Sequence, residues 1–310
     1  DPSDEGVFCT HNASDIEGLR AWATEHPGRR GIILGGGVLG IEVAWELHQM
    51  GVPVTIVGSG PRLLPRELDE ESSAELLRRC EGAGVEVYLG EKEYGLRSSR
   101  DGFSLTLPAA GRKLAGGFVV LAAGLVPRLE VARQAGIAAN RGVLVNQYLR
   151  TSAADIYSAG DCCEHPDGRV THLWRDALRQ GQVAGANAAA ELRKVGGDLK
   201  PYHYLPFRLK CEVFGQYFFS ICRPTETTTP GPPGGQPAAE RFENVVYRSA
   251  GRYVRAYFDT GDEDQWPKAS SSGPLRGVVM VGDKANQKRY MTAVHEGWSR
   301  EQFETEFSLS

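Results

Sequence analysis

Residues 31–58, GIILGGGVLGIEVAWELHQMGVPVTIVG, decide the fold of this chain. A short apolar run at 31–34 precedes three glycines, and a helical pattern then extends from Val38 to about Met50. Gly51 ends that helix, and the apolar run at 52–57 is typical of a second buried strand. The order strand, glycine turn, helix, strand predicts a βαβ unit in a parallel sheet.

The glycine turn has the spacing G-x-G-x-x-G. In such a turn the first glycine permits a tight bend, and the second lets backbone approach a pyrophosphate. The third lets helix and strand pack closely, and the helix N-terminus faces the phosphates. We therefore expect the whole turn to bind a dinucleotide: Gly35, Gly36, Gly37, Val38, Leu39 and Gly40. The alternative is a glycine-rich turn that only packs a helix on a sheet.

The acid that usually binds the ribose of NAD is missing. It would lie roughly 20 residues after the glycines, at the end of the second strand. This chain has Gly58 and Ser59 there, with Arg62 nearby and no acid before Glu67. A carboxylate there would favour the 2′-hydroxyl of NAD and repel the 2′-phosphate of NADP. Because it is absent, the sequence allows either NAD or NADP as the nucleotide. The alternative is that Arg62 is a solvated surface cation.

Bulk properties narrow the function classes. The 310 residues carry a net charge of −4, with 41% hydrophobic and 24% charged residues, so no nucleic-acid partner is expected. No apolar run reaches the roughly 18 residues of a membrane span. The N-terminus does not resemble a signal peptide, and the six cysteines form no C-x-x-C. We expect a cytoplasmic protein without a membrane anchor or a metal site.

The chain divides into four predicted parts. Residues 1–28 form a lead-in with a short strand at Val7–Phe8 and a helix capped by Ser14, with Glu17 completing a capping box. Residues 29–124 form the nucleotide-binding domain, which includes an antiparallel meander over 94–114. The remaining parts are residues 125–198 and an α+β domain at 199–310, in which the Pro/Gly-rich segment 223–240 is a flexible loop.

A second informative stretch is TSAADIYSAGDCCEHPDG, residues 151–168. Residues 156–159 predict a short strand that leads into Gly160 and Asp161. A carboxylate at such a strand end can bind a ribityl or ribose hydroxyl, while the next helix points its N-terminus at a phosphate. The alternative for Asp161 is a helix N-cap. The adjacent Cys162 and Cys163 are expected to be structural.

Several stretches together resemble the FAD-dependent pyridine nucleotide (disulfide-type) oxidoreductases, in particular nitrite-reductase-like and rubredoxin-reductase-like enzymes. The resemblance covers nearly the whole chain. It is carried by residues 32–46, 54–65, 119–127, 151–162, 173–187 and 275–283. It implies an α/β fold in which a Rossmann-like NAD(P)-binding domain is joined to the second half of an FAD-binding domain. A smaller α+β C-terminal domain follows.

The resemblance also implies residue roles. Glu42 would reach toward the nicotinamide, with the alternative of an acid favoured by the helix dipole. Ala123 and Gly124 would lie against the nicotinamide nucleotide, or simply pack tightly. Asp161, after Gly160, would bind the flavin ribityl chain or phosphate. Leu173 and Trp174 would lie near the isoalloxazine, with a core or lid aromatic as the alternative for Trp174.

By the same resemblance, NAD(P)H would pass hydride to FAD. The flavin would then reduce an iron–sulfur, rubredoxin-like or other redox protein, without a certain catalytic side chain. Such enzymes begin with another G-x-G-x-x-G unit, which would be supplied here by a further segment or partner chain. The alternative is a non-catalytic nucleotide-binding subunit or interaction module. A direct NAD(P)-dependent dehydrogenase is the weakest reading, because no proton-donor constellation is evident.

Overall fold

A computed structural model describes residues 5–193, 199–205, 207–222, 242–249, 251–260 and 273–309. The chain forms two compact units. The large unit combines residues 1–123 and 207–310, and the small unit comprises residues 124–206. The fourfold division drawn from the sequence remains a prediction, and its loop at 223–240 lies outside the described residues.

The large unit is built on a parallel five-stranded sheet in the order β1-β8-β2-β3-β4. Its strands are β1 (Val7–Phe8), β2 (Gly31–Leu34), β3 (Val54–Gly58), β4 (Glu86–Leu89) and β8 (Phe118–Leu121). The helices that connect them are α1 (Ala13–Glu25), α2 (Val38–Gln49) and α3 (Glu70–Gly82). Every residue of β2 and β3 is buried, as expected for central strands covered on both faces. The predicted βαβ unit is confirmed.

The predicted cap of α1 is wrong by two residues. Asn12, not Ser14, is the N-cap, and its side chain accepts the backbone N–H of Asp15 at 3.0 Å. Asp15, not Glu17, completes the capping box by accepting the N–H of Asn12. Asn and Asp serve as well as Ser and Glu because a short side-chain oxygen reaches the same free N–H groups.

The two faces of the parallel sheet are covered by different structures. The predicted meander is confirmed as β5 (Gly95–Ser99), β6 (Gly102–Leu107) and β7 (Arg112–Gly116). Its apolar side chains cover one face and share a core with the sheet: Phe103, Leu105 and Leu107 with Val7, Ile32, Leu34, Val57 and Val119. The helices cover the opposite face.

An antiparallel sheet completes the large unit, with strand order β11-β12-β15-β14-β13. Its strands are β11 (Arg208–Val213), β12 (Gln216–Ile221), β13 (Phe242–Ser249), β14 (Arg252–Asp259) and β15 (Leu275–Val281). One face shares a continuous core with α2 and α3, and the other packs on two C-terminal helices. These are α6 (Gln287–Glu296), after a 3₁₀ turn at Lys284–Asn286, and α7 (Arg300–Phe307), which the sequence reasoning missed.

The small unit contains α4 (Glu130–Gln134), a parallel strand pair of β9 (Val143–Leu144) and β10 (Cys163–Glu164), and the long helix α5 (Trp174–Leu192). The strand predicted at 156–159 is not formed. Tyr157 makes only an isolated bridge with Arg150. Left-handed backbone at Asp155 (φ +61°) and Gly160 (φ +87°) bounds the segment. Its backbone bonds run to the preceding turn, where Ile156 accepts the N–H of Thr151 and Ser158 donates to the carbonyl oxygen of Leu149.

Within the described residues, no helix combines the length and apolar character that crossing a bilayer requires.

Candidate functional site

The glycine turn between β2 and α2 is shaped by two close backbone contacts. Gly35 adopts a φ of +141°, and a Cβ there would lie 2.2 Å from the carbonyl oxygen of Ala122. A Cβ on Gly40 would lie 2.0 Å from the carbonyl oxygen of Gly35. Any side chain would therefore push the helix off the turn, so both positions require glycine.

Gly37 differs because its surroundings are open. It is the N-cap of α2 with an ordinary φ of −86°, and a Cβ built on it would meet nothing within 4 Å. The three glycines thus perform the three tasks that a dinucleotide turn requires: a bend, an open approach to backbone and a close helix contact. The open approach is what a bound pyrophosphate would occupy.

The start of α2 is suited to an anion. No side chain caps the helix at Gly37, and its first turn carries no acidic residue. The N–H groups of Val38 and Leu39 precede the first intrahelical hydrogen bond, which runs from Ile41 to Gly37. A helix N-terminus with free N–H groups carries a partial positive charge. Gly36 is held in place by the N–H of Leu64, which donates to its carbonyl oxygen at 3.0 Å.

The strand β3 ends at Gly58, which has no side chain. A Cβ on Gly58 would lie 3.6 Å from the Cα of Gly36, so this residue borders the glycine turn. Ser59 follows and is exposed. Arg62 is half-buried, and its guanidinium donates to the carbonyl oxygen of Pro65 at 3.2 Å while Nε is buried without a partner. Arg62 therefore braces its own loop and is not a freely solvated cation.

An acidic residue that the sequence reasoning missed lies beside this strand end. The N–H of Glu91 donates to the carbonyl oxygen of Gly58 at 3.1 Å, which continues the β3–β4 ladder past the end of β4. The Glu91 side chain is 2% exposed, and its Oε1 accepts the N–H of Ala110 at 2.7 Å. The carboxylate is thus engaged by the meander. The only signal in the sequence was an acid directly after a strand.

Glu42 lies one turn into α2 and is half-buried. Burial raises the pKa of its carboxyl, and the nearby charge of Glu46 raises it further. Burial also raises the pKa of Cys211 in β11 to about 12, with the charge of Glu42 as a second cause. Glu42 therefore lies close to the antiparallel sheet, on the side of α2 that contacts β11.

The chain after β8 also borders the glycine turn. The backbone of Ala122 and Ala123 forms the wall that excludes a side chain at Gly35. Ala123 is exposed, and Gly124 follows with a φ of +112° and no atom near its missing Cβ. The large unit therefore brings together the residues predicted at 35–40, at Gly58 and at Ala123.

In the small unit, Gly160 and Asp161 form a tight turn rather than the end of a strand. Gly160 is left-handed, and its carbonyl oxygen accepts the N–H of Cys163 at 3.1 Å. Asp161 is exposed at the tip, and no group in the described part of the chain hydrogen-bonds its carboxylate. The alternative of a helix N-cap is wrong, because α5 begins at Trp174 with Leu173 as its N-cap.

The two cysteines beside this turn are free thiols. Burial raises the pKa of Cys163 to about 12, with the neighbouring Cys162 as a second cause, so Cys163 stays a thiol and not a nucleophilic thiolate. His165 is buried too, and burial lowers its pKa although Asp167 opposes the shift. Among the described residues, no group of histidines, cysteines and carboxylates could hold a metal ion.

One face of α5 is apolar and exposed. Trp174, Leu178 and Leu192 are 83%, 56% and 85% exposed. Gly181 and Gly185 lie between them, and the spacing of three and four residues puts all five on one helical stripe. Trp174 is therefore not a core aromatic of the described small unit.

Comparison with known proteins agrees with this geometry. The family described as pyridine nucleotide-disulphide oxidoreductases matches residues 2–181. A nitric oxide reductase FlRd-NAD(+) reductase of Klebsiella pneumoniae is 38% identical over 175 residues, which are 56% of this chain and 45% of that protein. A rubredoxin-NAD(+) reductase of Alcanivorax borkumensis is 36% identical over 287 residues, or 91% of this chain and 65% of that protein. The chain thus spans about half to two thirds of these relatives.

Solved structures show the same fold. A NAD-dependent persulfide reductase from A. fulgidus superposes with a TM-score of 0.74 at 22% identity, over 97% of this chain and 55% of that one. A ferredoxin reductase from Rhodopseudomonas palustris gives 0.71 at 21% identity, over 97% of this chain and 68% of that one. The α/β fold predicted from the sequence is confirmed.

Proposed function

The chain belongs to the pyridine nucleotide-disulphide oxidoreductase family, and we propose that it carries the hydride-donor site of an FAD-dependent NAD(P)H oxidoreductase. The observation that carries this proposal is the glycine turn. Gly37 is open where a pyrophosphate would approach, while Gly35 and Gly40 have no room for any side chain. A turn that only packed a helix on a sheet would need the close contacts at Gly35 and Gly40, but it would not need open space at Gly37.

The residues of the glycine turn, of the end of β3 and of the chain after β8 would hold NAD(P)H as follows. The N–H groups at the start of α2 would bind the pyrophosphate, with no acidic side chain in the first turn to repel it. Gly58 and Ser59 would border the adenosine ribose, and Arg62 would brace the loop beneath it. Glu42, Ala123 and Gly124 would flank the nicotinamide end. The raised pKa of Glu42 suits a carboxyl that contacts an uncharged carboxamide in a partly dry site.

The residues of the small unit fit half of a flavin site. The left-handed Gly160 and the exposed, unbonded Asp161 present a carboxylate that can accept hydroxyl groups of a ribityl chain. Leu173 and Trp174, at the start of α5, would lie toward the isoalloxazine. When bound, FAD supplies the acceptor for the hydride and the means to release electrons to a further acceptor.

We propose further that a second βαβ unit supplies the other half of the flavin site. It would lie on the same polypeptide or on a partner chain. The exposed apolar stripe of α5 supports this, because monomeric surfaces rarely expose a tryptophan and two leucines along one helix face. Gly181 and Gly185 would let the backbone of the partner approach closely.

The electron acceptor is proposed to be a small redox protein of the rubredoxin or iron–sulfur class. Similar proteins are named as reductases of rubredoxin, of flavorubredoxin (FlRd) and of ferredoxin, which supports this class. We propose a cytoplasmic location, supported by six unpaired cysteine thiols, which suit a reducing compartment.

The test is the binding of both cofactors. The chain is mixed with FAD and with the proposed second βαβ unit, and the visible absorption spectrum is recorded after gel filtration. A flavin band that co-elutes, and bleaches when NADH or NADPH is added anaerobically, is the expected result. NAD(P)H binding without any flavin would contradict the proposal and favour a non-catalytic nucleotide-binding subunit. Binding of neither cofactor would contradict both.

A further inference from the structure

We propose that the side-chain amide of Gln180 positions the turn at Gly160 and Asp161, so that the Asp161 carboxylate can meet the flavin. The assignment rests on the proposed function, because it takes the flavin as the ligand of this turn. Gln180 lies in α5 and is fully buried, so it touches no ligand itself. Its role is to hold another residue in place.

The contact that carries the proposal is short and direct. The N–H of Gly160 donates to Oε1 of Gln180 at 2.6 Å. The carbonyl oxygen of Gly160 is held from the other side by the N–H of Cys163 at 3.1 Å. Both backbone groups of Gly160 are therefore fixed, and Asp161 follows directly at the tip of the turn.

The orientation of the amide is set by its partners. A backbone N–H can only donate, so the atom that faces Gly160 must be the oxygen. Nε2 then lies 3.0 Å from Nε2 of His165 and 3.3 Å from Oγ1 of Thr171, and donates to both. His165 must accept at Nε2 and carry its proton on Nδ1. Burial lowers the pKa of His165, which keeps the ring neutral and able to accept.

A second donor reinforces this arrangement. Sγ of Cys163 lies 3.2 Å from Oε1 of Gln180, 3.1 Å from the carbonyl oxygen of Gly160 and 3.8 Å from Nε2 of His165, and its one S–H can donate to any one of the three. Oε1 of Gln180 thus accepts from one or two groups of the turn, while Nε2 donates to two groups outside it. The amide links the turn to His165 and Thr171. Only the amide side chains of Gln and Asn combine an acceptor oxygen with a two-hydrogen donor, and that of Asn is one methylene shorter.

The position of the exposed Asp161 carboxylate depends on the conformation of Gly160, which the buried amide of Gln180 holds. Gly160 is left-handed at φ +87°, a conformation that the chain leaves easily if its N–H loses its acceptor. An unpaired buried N–H costs on the order of 1–3 kcal/mol. The turn would rearrange to expose that N–H to water, and Asp161 would move with it.

The matched control is Asn187, a buried amide in the same helix. Its Nδ2 donates to the carbonyl oxygens of Tyr148 and Lys200, and its Oδ1 accepts the N–H of Lys200. It is 1% exposed, as buried as Gln180, but has no bond to the turn. Gln180→Met and Asn187→Leu each remove one buried amide at nearly constant size, so both should lower the stability of the small unit.

The experiment compares these variants in two ways. The amide ¹H–¹⁵N shift of Gly160 is measured in the chain without flavin, and the Kd for FAD is measured with the complementing βαβ half present. We expect Gln180→Met to move the Gly160 signal and to weaken FAD binding by about tenfold or more. Asn187→Leu should change neither.

The outcomes separate this inference from the proposed function. If the wild-type protein binds FAD and Gln180→Met binds it equally tightly, Gln180 does not position the turn, while the proposed function stands. Equal losses in Gln180→Met and Asn187→Leu would mean a purely structural role and overturn the inference. If the wild-type protein does not bind FAD at all, the proposed function fails and this role of Gln180 fails with it.

Discussion

Replacing Gly37 by alanine separates a nucleotide turn from a purely structural one. A Cβ on Gly37 meets no protein atom within 4 Å, and the φ of −86° is allowed for alanine. Alanine in place of a good N-cap typically costs about 1 kcal/mol and glycine only a few tenths, so exchanging Gly37 for alanine costs less than about 1 kcal/mol. The lower entropy of the unfolded chain offsets about 0.4–1 kcal/mol of that cost. We therefore expect the free energy of unfolding to change by less than about 1 kcal/mol.

The effect on ligand binding should be larger. The added methyl group would occupy the space through which a pyrophosphate approaches the backbone. We expect the Kd for NADH or NADPH to rise at least about tenfold, which corresponds to about 1.4 kcal/mol. Isothermal titration calorimetry gives the Kd, and urea denaturation gives the free energy of unfolding of the same preparation.

Two further alanine variants complete the comparison. In Gly40→Ala the new Cβ would lie 2.0 Å from the carbonyl oxygen of Gly35, where ordinary contact begins at 3.4 Å. The contacting oxygen belongs to the backbone and cannot rotate away as a side chain could, so this overpacking should lower the free energy of unfolding by about 1–3 kcal/mol. Gly18→Ala, in the exposed part of α1, meets nothing within 4 Å and should leave nucleotide binding unchanged. If Gly37→Ala binds nucleotide as tightly as the wild-type protein, the turn does not hold a pyrophosphate.

Three other predictions follow from the described contacts. Gly58→Glu places a carboxylate beside the glycine turn and should raise the Kd for NADPH relative to that for NADH by about tenfold. Gly60→Glu, which adds the same charge two residues later, is the control. An unchanged ratio in Gly58→Glu would contradict the assignment of this strand end to the ribose. Glu164 is buried, which alone would raise its pKa, but the N–H groups of Gly142 and Arg141 and the amide of Asn140 lower it below the usual 4.5. The ionised Glu164 carboxylate stabilises the fold fully above pH 4.5, and this stabilisation is lost as the pH falls through the lowered pKa. The urea midpoint should therefore fall more steeply with acid in the wild-type protein than in Glu164→Gln. Parallel pH profiles of the two proteins would refute this prediction. Tyr290 is fully buried, and its hydroxyl donates to the Asp283 carboxylate at 2.8 Å. Tyr290→Phe should therefore lower the free energy of unfolding by about 1–3 kcal/mol. An unchanged urea midpoint would show that this hydrogen bond does not stabilise the fold.

The sequence predicted those features that depend on neighbouring residues. Gly35 and Gly40 indicate the turn because only glycine tolerates a positive φ or a backbone contact at about 2 Å. The strands β2 and β3 were predictable because a strand buried on both faces must be apolar throughout. The meander was predictable from its turn residues.

What the sequence did not predict depends on distant partners. The segment 156–159 has strand-like residues, but a strand needs a neighbour to pair with, and only Tyr157 finds one. Helix α7 begins at Arg300, after its N-cap Ser299, and buries Phe303 and Phe307 four residues apart. The sequence contains this pattern, but over only eight residues. Gln180 and Glu91 gave no local sign of their partners, because those partners come from other parts of the chain.

We propose that the glycine turn at 35–40 holds the hydride donor of a flavoenzyme. The most direct test is the anaerobic bleaching rate of bound FAD in a rapid-mixing experiment with NADH deuterated at one face of C4. Bleaching should be slower with one deuterated face than with unlabelled NADH, and Gly37→Ala should need a much higher NADH concentration for half-maximal rate. Bleaching without any isotope effect, together with an unchanged concentration dependence in Gly37→Ala, would contradict this role of the turn.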